Sequence, residues 1–241
     1  MRSIGIKIFP NGKAFIEQME QYVDFVEIMA VEGAEYGFLK NWKKQVVIHH
    51  EHDGFGVNHA NPAKRKKNLA ATKWAIHLAN KFNAEKIIVH GGHKENKEGS
   101  IKEIIKQLTP IWDERIIFEN LIYISGGHYM FCYNKEQLKM LTKTFKTGIC
   151  LDISHAVLSG MERQENPEYF LKELKTLPIK HGHLCNGHLE VPVDQHLHFS
   201  DGNFPIKKYM KYFPKEIAIT IETQKNTEKA KQDIMFVRAH G

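Results

Sequence analysis

Apolar, β-branched runs of four to seven residues recur along the whole chain and alternate with stretches of helical periodicity. The runs are Ile4–Ile8, Val23–Met29, Gln45–His49, Lys86–His90, Arg115–Phe118, Thr147–Leu151, Ile179–Leu184 and Glu216–Ile221, each predicting a buried strand. Between them the pattern predicts helices over Lys13–Gln21, Glu35–Lys43, Pro62–Phe82, Ser100–Leu108, Lys135–Phe145, Pro167–Leu174, Ile206–Tyr212 and Thr227–Val237. In Pro62–Phe82, proline suits the first turn, and Leu69, Thr72, Ala75, Ile76 and Ala79 keep a stripe of period 3.6. Strands alternating with helices imply parallel βαβ units with right-handed crossovers, and eight such units close into a barrel. An open doubly wound sheet would carry a glycine-rich turn after its first strand, but Phe9-Pro10-Asn11-Gly12 has one glycine. With no linker or low-complexity block in sight, residues 1–241 are expected to form a single (β/α)8 barrel domain.

The 241 residues are 42% hydrophobic and 26% charged, which excludes disordered and fibrous classes. The apolar runs are too short to cross a bilayer, so no membrane partner is expected. Met1-Arg2-Ser3-Ile4-Gly5-Ile6-Lys7 shows no apolar signal region, and Cys132, Cys150 and Cys185 cannot make a disulfide framework. A reducing cytoplasm is the expected compartment. The net charge of +6 suits a polyanionic partner, although a solvated basic surface accounts for it equally well. The 15 histidines are more informative, because many of them close the apolar runs.

In a barrel of this type, sites are built at the C-terminal ends of strands. The third run leads into His49-His50-Glu51-His52-Asp53, the fourth ends at His90, the fifth at Glu119 and the sixth at Asp152, with His155 three residues on. The seventh ends in His181-Gly182-His183 and its loop carries Asp194-Gln195-His196; the eighth ends at Glu222. A single such residue usually serves a structural hydrogen bond. Six successive strand ends converging on one mouth would be costly without compensation, and divalent metal is the natural compensation for clustered carboxylates and neutral imidazoles. A nitrogen and oxygen donor set suits Zn²⁺, Mn²⁺ or Fe²⁺. Nine donors (His52, His90, Glu119, Asp152, His155, His183, Asp194, His196 and Glu222) are enough for two or three ions. The cysteines, with no paired spacing, are expected in the core.

The stretches His52-Asp-Gly-Phe-Gly-Val-Asn58, His90-Gly-Gly, Phe118-Glu119-Asn120, Gly148-Ile-Cys-Leu-Asp152-Ile-Ser-His155-Ala156, His183-Leu-Cys-Asn186, Asp194-Gln-His196 and Ile221-Glu222-Thr223 resemble, in order, the motifs of the endonuclease IV family (AP endonuclease family 2) within the xylose-isomerase-like TIM-barrel superfamily. The resemblance implies a barrel hydrolase of DNA repair, with up to three zinc ions, that cleaves double-stranded DNA 5′ to abasic sites. It implies that Glu119 bridges two ions with His90 and His52 on one, that Asp152, His183 and Glu222 serve the second, and that His155, Asp194 and His196 hold the third. Glu119 and Glu222 would be the catalytic carboxylates. Phe55 stands where the family has an intercalating tyrosine, and the loops after the first two strands are short. Phe55, Lys64 and Arg65 are the candidate DNA contacts, although the simplest expectation for Lys64-Arg65-Lys66-Lys67 is a solvated helix face. A monomer is expected.

The runner-up is a metal-dependent sugar or sugar-phosphate isomerase or epimerase on the same barrel, using Glu119, Asp152, His183 and Glu222 around one ion. It leaves His155, Asp194 and His196 without a task. A binder that kept the barrel without catalysis is a third class, disfavoured by the full donor list. His49, His50, His59, His93, His181, His188 and His198 are expected in supporting or surface roles, with His49, His50 and His93 the nearest rivals for ligand positions. Trp42, Trp74 and Trp112 are expected to pack.

Overall fold

Eight of the apolar runs become strands that pair in parallel: β1 (Ile4–Ile8), β2 (Phe25–Ala30), β3 (Gln45–His50), β4 (Ile87–Val89), β5 (Ile116–Glu119), β6 (Ile149–Asp152), β7 (Ile179–Leu184) and β8 (Ile219–Ile221). Strand β8 pairs back onto β1, Ile4 opposite Ile219 and Ile6 opposite Ile221, which closes the barrel. The computed structural model describes residues 2–241.

Side chains of a strand alternate between its two faces, and that alternation sorts the residues of every strand. Outward positions such as Val26, Ile28, Val46, Ile48, Ile87, Val89, Ile116, Phe118, Ile149 and Leu151 join the large apolar layer shared with the helices. Inward, Phe25, Val47, Ile88, Ile117 and Cys150 form a smaller apolar plug. Gly5 lies against this plug, and any Cβ there would run into the Phe25 ring. Two residues further along each strand, the inward position is polar: Lys7, Glu27, His49, His90, Glu119, Asp152, His183 and Glu222. A polar storey therefore stands on an apolar floor.

The helices are α1 (Lys13–Met19), α2 (Arg65–Lys81), α3 (Ile101–Leu108), α4 (Lys135–Phe145), α5 (Ile153–Glu162), α6 (Pro167–Leu174), α7 (Ile206–Tyr209) and α8 (Thr227–His240). Two elements depart from expectation. The helix expected over Glu35–Lys43 is only a 3-10 turn at Gly37–Leu39. The buried Tyr36 ring draws the chain inward, where its hydroxyl bonds the Met29 carbonyl and accepts the Val31 N–H at 2.9 Å, and that tie competes with helical geometry. Helix α5, by contrast, lies where the pattern predicts none. Its residues Ile153–Gly160 are all buried, so it has no polar stripe to reveal its period. A small hairpin, Ile124–Ser125 against His128–Tyr129, also follows β5. Among the described residues no helix is long and apolar enough to cross a membrane, and all three cysteines are buried and free.

Candidate metal centre

Glu119 closes β5 and is the hub of the polar storey. Its Oε2 lies 3.2 Å from His49 Nε2 and 3.1 Å from His90 Nε2. Its Oε1 lies 3.1 Å from His155 Nδ1 and 3.4 Å from His183 Nδ1. Asp152 ends β6 and caps α5, accepting the His155 backbone N–H at 2.8 Å and the Ser154 hydroxyl at 2.9 Å. That cap fixes where His155 projects. On the strand end of β8, Glu222 Oε1 sits 3.3 Å from His183 Nδ1 and 2.7 Å from the Lys7 ammonium.

The loop after β7 returns two more donors to the mouth. Asn186 shapes it: its carbonyl oxygen accepts the Gly187 and Phe204 N–H groups, and its amide donates to Phe199. His198 is anchored to Asp233 of α8 at 2.6 Å. So held, Asp194 Oδ2 meets His196 Nε2 at 2.8 Å and His155 Nε2 at 3.4 Å. His196 takes a left-handed backbone, φ +47, a strained conformation of the kind that gathers at functional sites.

The imidazole tautomers show what this cluster can hold. A carbonyl only accepts, so a ring nitrogen facing one carries the proton. His49 Nδ1 donates to the His50 carbonyl at 2.9 Å, His155 Nδ1 to Asn120 at 2.9 Å, and His196 Nδ1 to Glu222 at 2.6 Å. In each neutral ring the Nε2 lone pair then faces a carboxylate: Glu119 for His49, Asp194 for His155 and His196. His183 is turned the other way. Its Nε2 donates to Glu27 at 3.0 Å, and its Nδ1, buried without a hydrogen-bond partner, faces Glu119 and Glu222. Lone pairs aimed at carboxylates repel unless a proton or a metal ion lies between, and anchoring the far nitrogen is how proteins orient metal-binding imidazoles. This donor set fits divalent metal. Groups of donors close enough to share an ion are Glu27, His49, His183 and Glu222; His49, His90 and Glu119; Glu119, Asp152 and His155; His52, Asp53 and His90; and Cys185, Asp194 and His196.

The same carboxylates also favour protons on these rings. Burial opposes charge on His155 and His183, yet the facing carboxylates outweigh it and hold both well above the usual imidazole range. Burial likewise opposes charge on His196, but Cys185 and Asp194 push it up to about 12. A proton and a metal ion therefore compete for the same ring nitrogens. Burial raises Asp152 to about 6, with Glu119 and Glu222 adding to it. Burial also tends to raise Glu27, but His183, His181 and Lys7 hold it well below the carboxylate range. Among the described residues Lys7 is the single ammonium set between Glu27, Glu119 and Glu222, so with the imidazoles neutral a negative excess is left for cations to offset. Above the donors opens a cavity of about 230 Å³, walled on one side by Leu121, Ile122 and Met130.

The structure brings His90, Glu119, Asp152, His155, His183, Asp194, His196 and Glu222 together at one mouth. His52 stands further out: it is half-buried, takes the Gly54 N–H on Nδ1 at 3.2 Å, and stacks on His90 at 5.2 Å between ring centres. His49, expected to support, meets Glu119 in its place. Phe55 packs against His52 at 5.1 Å on the rim. Lys64 is half-buried just ahead of α2, while Arg65 lines a separate cavity away from the mouth. Lys67 is tied to Glu32 at 2.9 Å and Glu51 at 2.7 Å. Cys185 lies beside Asp194, Sγ to Oδ1 3.9 Å, rather than among apolar residues alone. The residues that sequence reasoning passed over, Lys7 and Glu27, share one signal: each lies two positions after an inward residue of its strand.

A family profile described as Xylose isomerase-like TIM barrel matches residues 15–240, and the chain belongs to that family. A protein named "Probable endonuclease 4" from Thermoplasma acidophilum is 25% identical over 116 residues, 48% of this chain and 41% of its own length. The chain thus matches about two fifths of that relative. A D-tagatose 3-epimerase-like protein superimposes with a TM-score of 0.74 at 20% identity, over 99% of this chain and 96% of its own. Endonuclease IV from Thermus thermophilus gives 0.73 at 18% identity over 98% of each chain. At these identities the two structures speak for the fold.

Proposed function

We propose that this chain is a multinuclear metal-dependent phosphodiester hydrolase acting on double-stranded DNA at abasic sites, with zinc as its metal. The carrying observation is Asp194 Oδ2, which meets His155 and His196 beside, and not within, the cluster around Glu119. One ion needs about four ligands, so this second focus speaks for more than one ion.

In this reading Glu119 would serve two ions, one held with His90 and His49 and the other with His183, while the free Nε2 of His155 is turned to Asp194. Asp152 and Glu222 complete the inner set, and Asp194 and His196 with His155 hold a further position. His52 joins from the rim through His90. Bound divalent ions supply Lewis acidity at a phosphoryl oxygen and lower the pKa of water. The chain itself orients those ions: the His50, Asn120 and Glu222 carbonyls and the Glu27 carboxylate keep four imidazole lone pairs pointed inward. Lys7 reaches the same cavity and can face a non-bridging phosphate oxygen once Glu222 is engaged elsewhere. Leu121, Ile122 and Met130 shield one wall from water. Phe55 beside His52 on the rim and Lys64 just ahead of α2 are the contacts we assign to DNA.

A metal-dependent sugar or sugar-phosphate isomerase or epimerase is the second reading. Its support is that His183 Nδ1 lies within 3.3 to 3.9 Å of Glu222, Glu119 and Asp152, a complete site for one ion. Metal analysis and a nicking assay separate the two. The hydrolase reading expects close to three ions per chain, incision of a duplex with one abasic position, and loss of incision in Asp194→Ala and His196→Ala. A single ion per chain, with incision unchanged in both variants, would overturn it.

A further inference from the structure

Between α2 and the Gln107–Ile111 stretch, outside the barrel mouth, lies a second cavity of about 230 Å³. His59 forms its floor. The ring is 1% exposed, and neither of its nitrogens has a hydrogen-bond partner. Its neighbour His50, 5.1 Å away between ring centres, cannot serve it, because His50 is spent on the Glu51 carbonyl and the Thr72 hydroxyl. Burial and the adjacent His50 hold His59 well below the usual imidazole range, so the ring is neutral and keeps one N–H to donate.

Arg65 and Lys73 stand two turns apart on α2 and both line this cavity. Among the described residues neither makes an ion pair or a side-chain hydrogen bond, whereas Lys67 on the next face is locked to Glu32 and Glu51. No carboxylate lines the space. The polar amides at its edge are already used, Asn68 by Asn58 and Gln107 by Asn61 and Glu103. Leu69, Pro110 and Ile111 make an apolar wall. Two free cations, one buried neutral donor, no acid and an apolar wall together suit a doubly charged oxyanion that carries a small carbon body.

We propose that this cavity binds a phosphate monoester dianion, at a site separate from the metal centre. The phosphate lies between Arg65 and Lys73 and accepts the His59 N–H, and the organic part rests on Leu69, Pro110 and Ile111. Backbone DNA does not meet this description, since each of its phosphates carries one charge and is flanked by sugars on both sides.

The test is a titration of the metal-loaded full chain in phosphate-free buffer, followed through histidine side-chain nuclear magnetic resonance. The His59 signals are assigned by their loss in His59→Phe. Inorganic phosphate and phenyl phosphate are the two probes. The expected result is a shift of the His59 signals by both, tighter binding of phenyl phosphate, and at least tenfold weaker binding of both in Arg65→Ser/Lys73→Ser, two exposed positions whose replacement leaves the fold intact. Unmoved His59 signals, or equal affinity in the double variant, would overturn the site. Equal affinity for the two probes would overturn the ester assignment, leaving phosphate itself as the ligand.

Discussion

Replacing Glu27 with Gln tests whether the imidazoles are held for metal or merely packed. Glu27 is fully buried; its Oε2 accepts the Thr220 hydroxyl at 2.6 Å and His183 Nε2–H at 3.0 Å, and its Oε1 lies 3.8 Å from Lys7. Thr220 in turn receives His181 at 2.8 Å, so one carboxylate terminates two chains of donors. Gln keeps the shape and one acceptor but loses the charge. A hydrogen bond to a charged group contributes about 1.5–3 kcal/mol and a neutral one about 0.5–1.5. With two such bonds weakened, the metal-free protein should lose about 2–3 kcal/mol of stability. The larger signal concerns metal. Loss of the group that orients a ligating imidazole lowers metal affinity about 10–100-fold, equivalent to about 1.4–2.7 kcal/mol. Competition with a chromophoric zinc chelator measures the affinity, and thermal melting in excess chelator measures the fold by itself. If Glu27→Gln melts lower while its zinc affinity stays within twofold of wild type, Glu27 only packs, and the reasoning from tautomers fails.

Other expectations follow from the same geometry. His50 is buried and neutral, its pKa lowered to about 4 chiefly by burial, so the unfolded chain takes up its proton below about 6.5 while the native chain does not. Stability should therefore fall as pH drops from about 6.5 towards 4, by about 3 kcal/mol from this residue, and chemical denaturation of His50→Asn should show a shallower decline over that window. Asn186→Ala strands the Gly187 and Phe204 N–H groups, at about 1–3 kcal/mol each; hydrogen exchange should show faster opening of residues 186–204 with the strands still protected. Ile88→Ala opens a hole in the inner apolar plug and should lower stability by about 2–5 kcal/mol in urea denaturation. Chelation should lower the melting temperature of the wild type and leave Asp194→Ala less affected, because that variant starts with fewer bound ions.

The barrel was legible because burial on both faces of a parallel strand leaves a plain apolar run, and eight such runs at regular intervals admit few closures. The ends of β4, β5, β6 and β8 were legible for the same reason: His90, Glu119, Asp152 and Glu222 interrupt runs that need no polar residue for folding. The loop residues Asp194 and His196 were legible as donors from their residue types after β7, and the family resemblance added their place in one ligand group, since nothing in the periodicity of the loop marks them. Helix α5 stayed hidden because burial all round removes the polar stripe by which a helix is recognised.

What the sequence determined by itself was a closed barrel with polar residues ending most of its strands. What only the tertiary structure decided was the partnerships. His49 and His52 are equivalent as letters, three residues apart, but period two turns His49 inward to Glu119, 70 residues away, and leaves His52 on the rim. Glu27 and Lys7 sit among apolar neighbours and look like interruptions of β2 and β1, until closure sets them against His183 and Glu222, 156 and 215 residues distant. The physical reason is that charge is balanced across the barrel, between strands joined by no local sequence relation, whereas burial is decided within each strand.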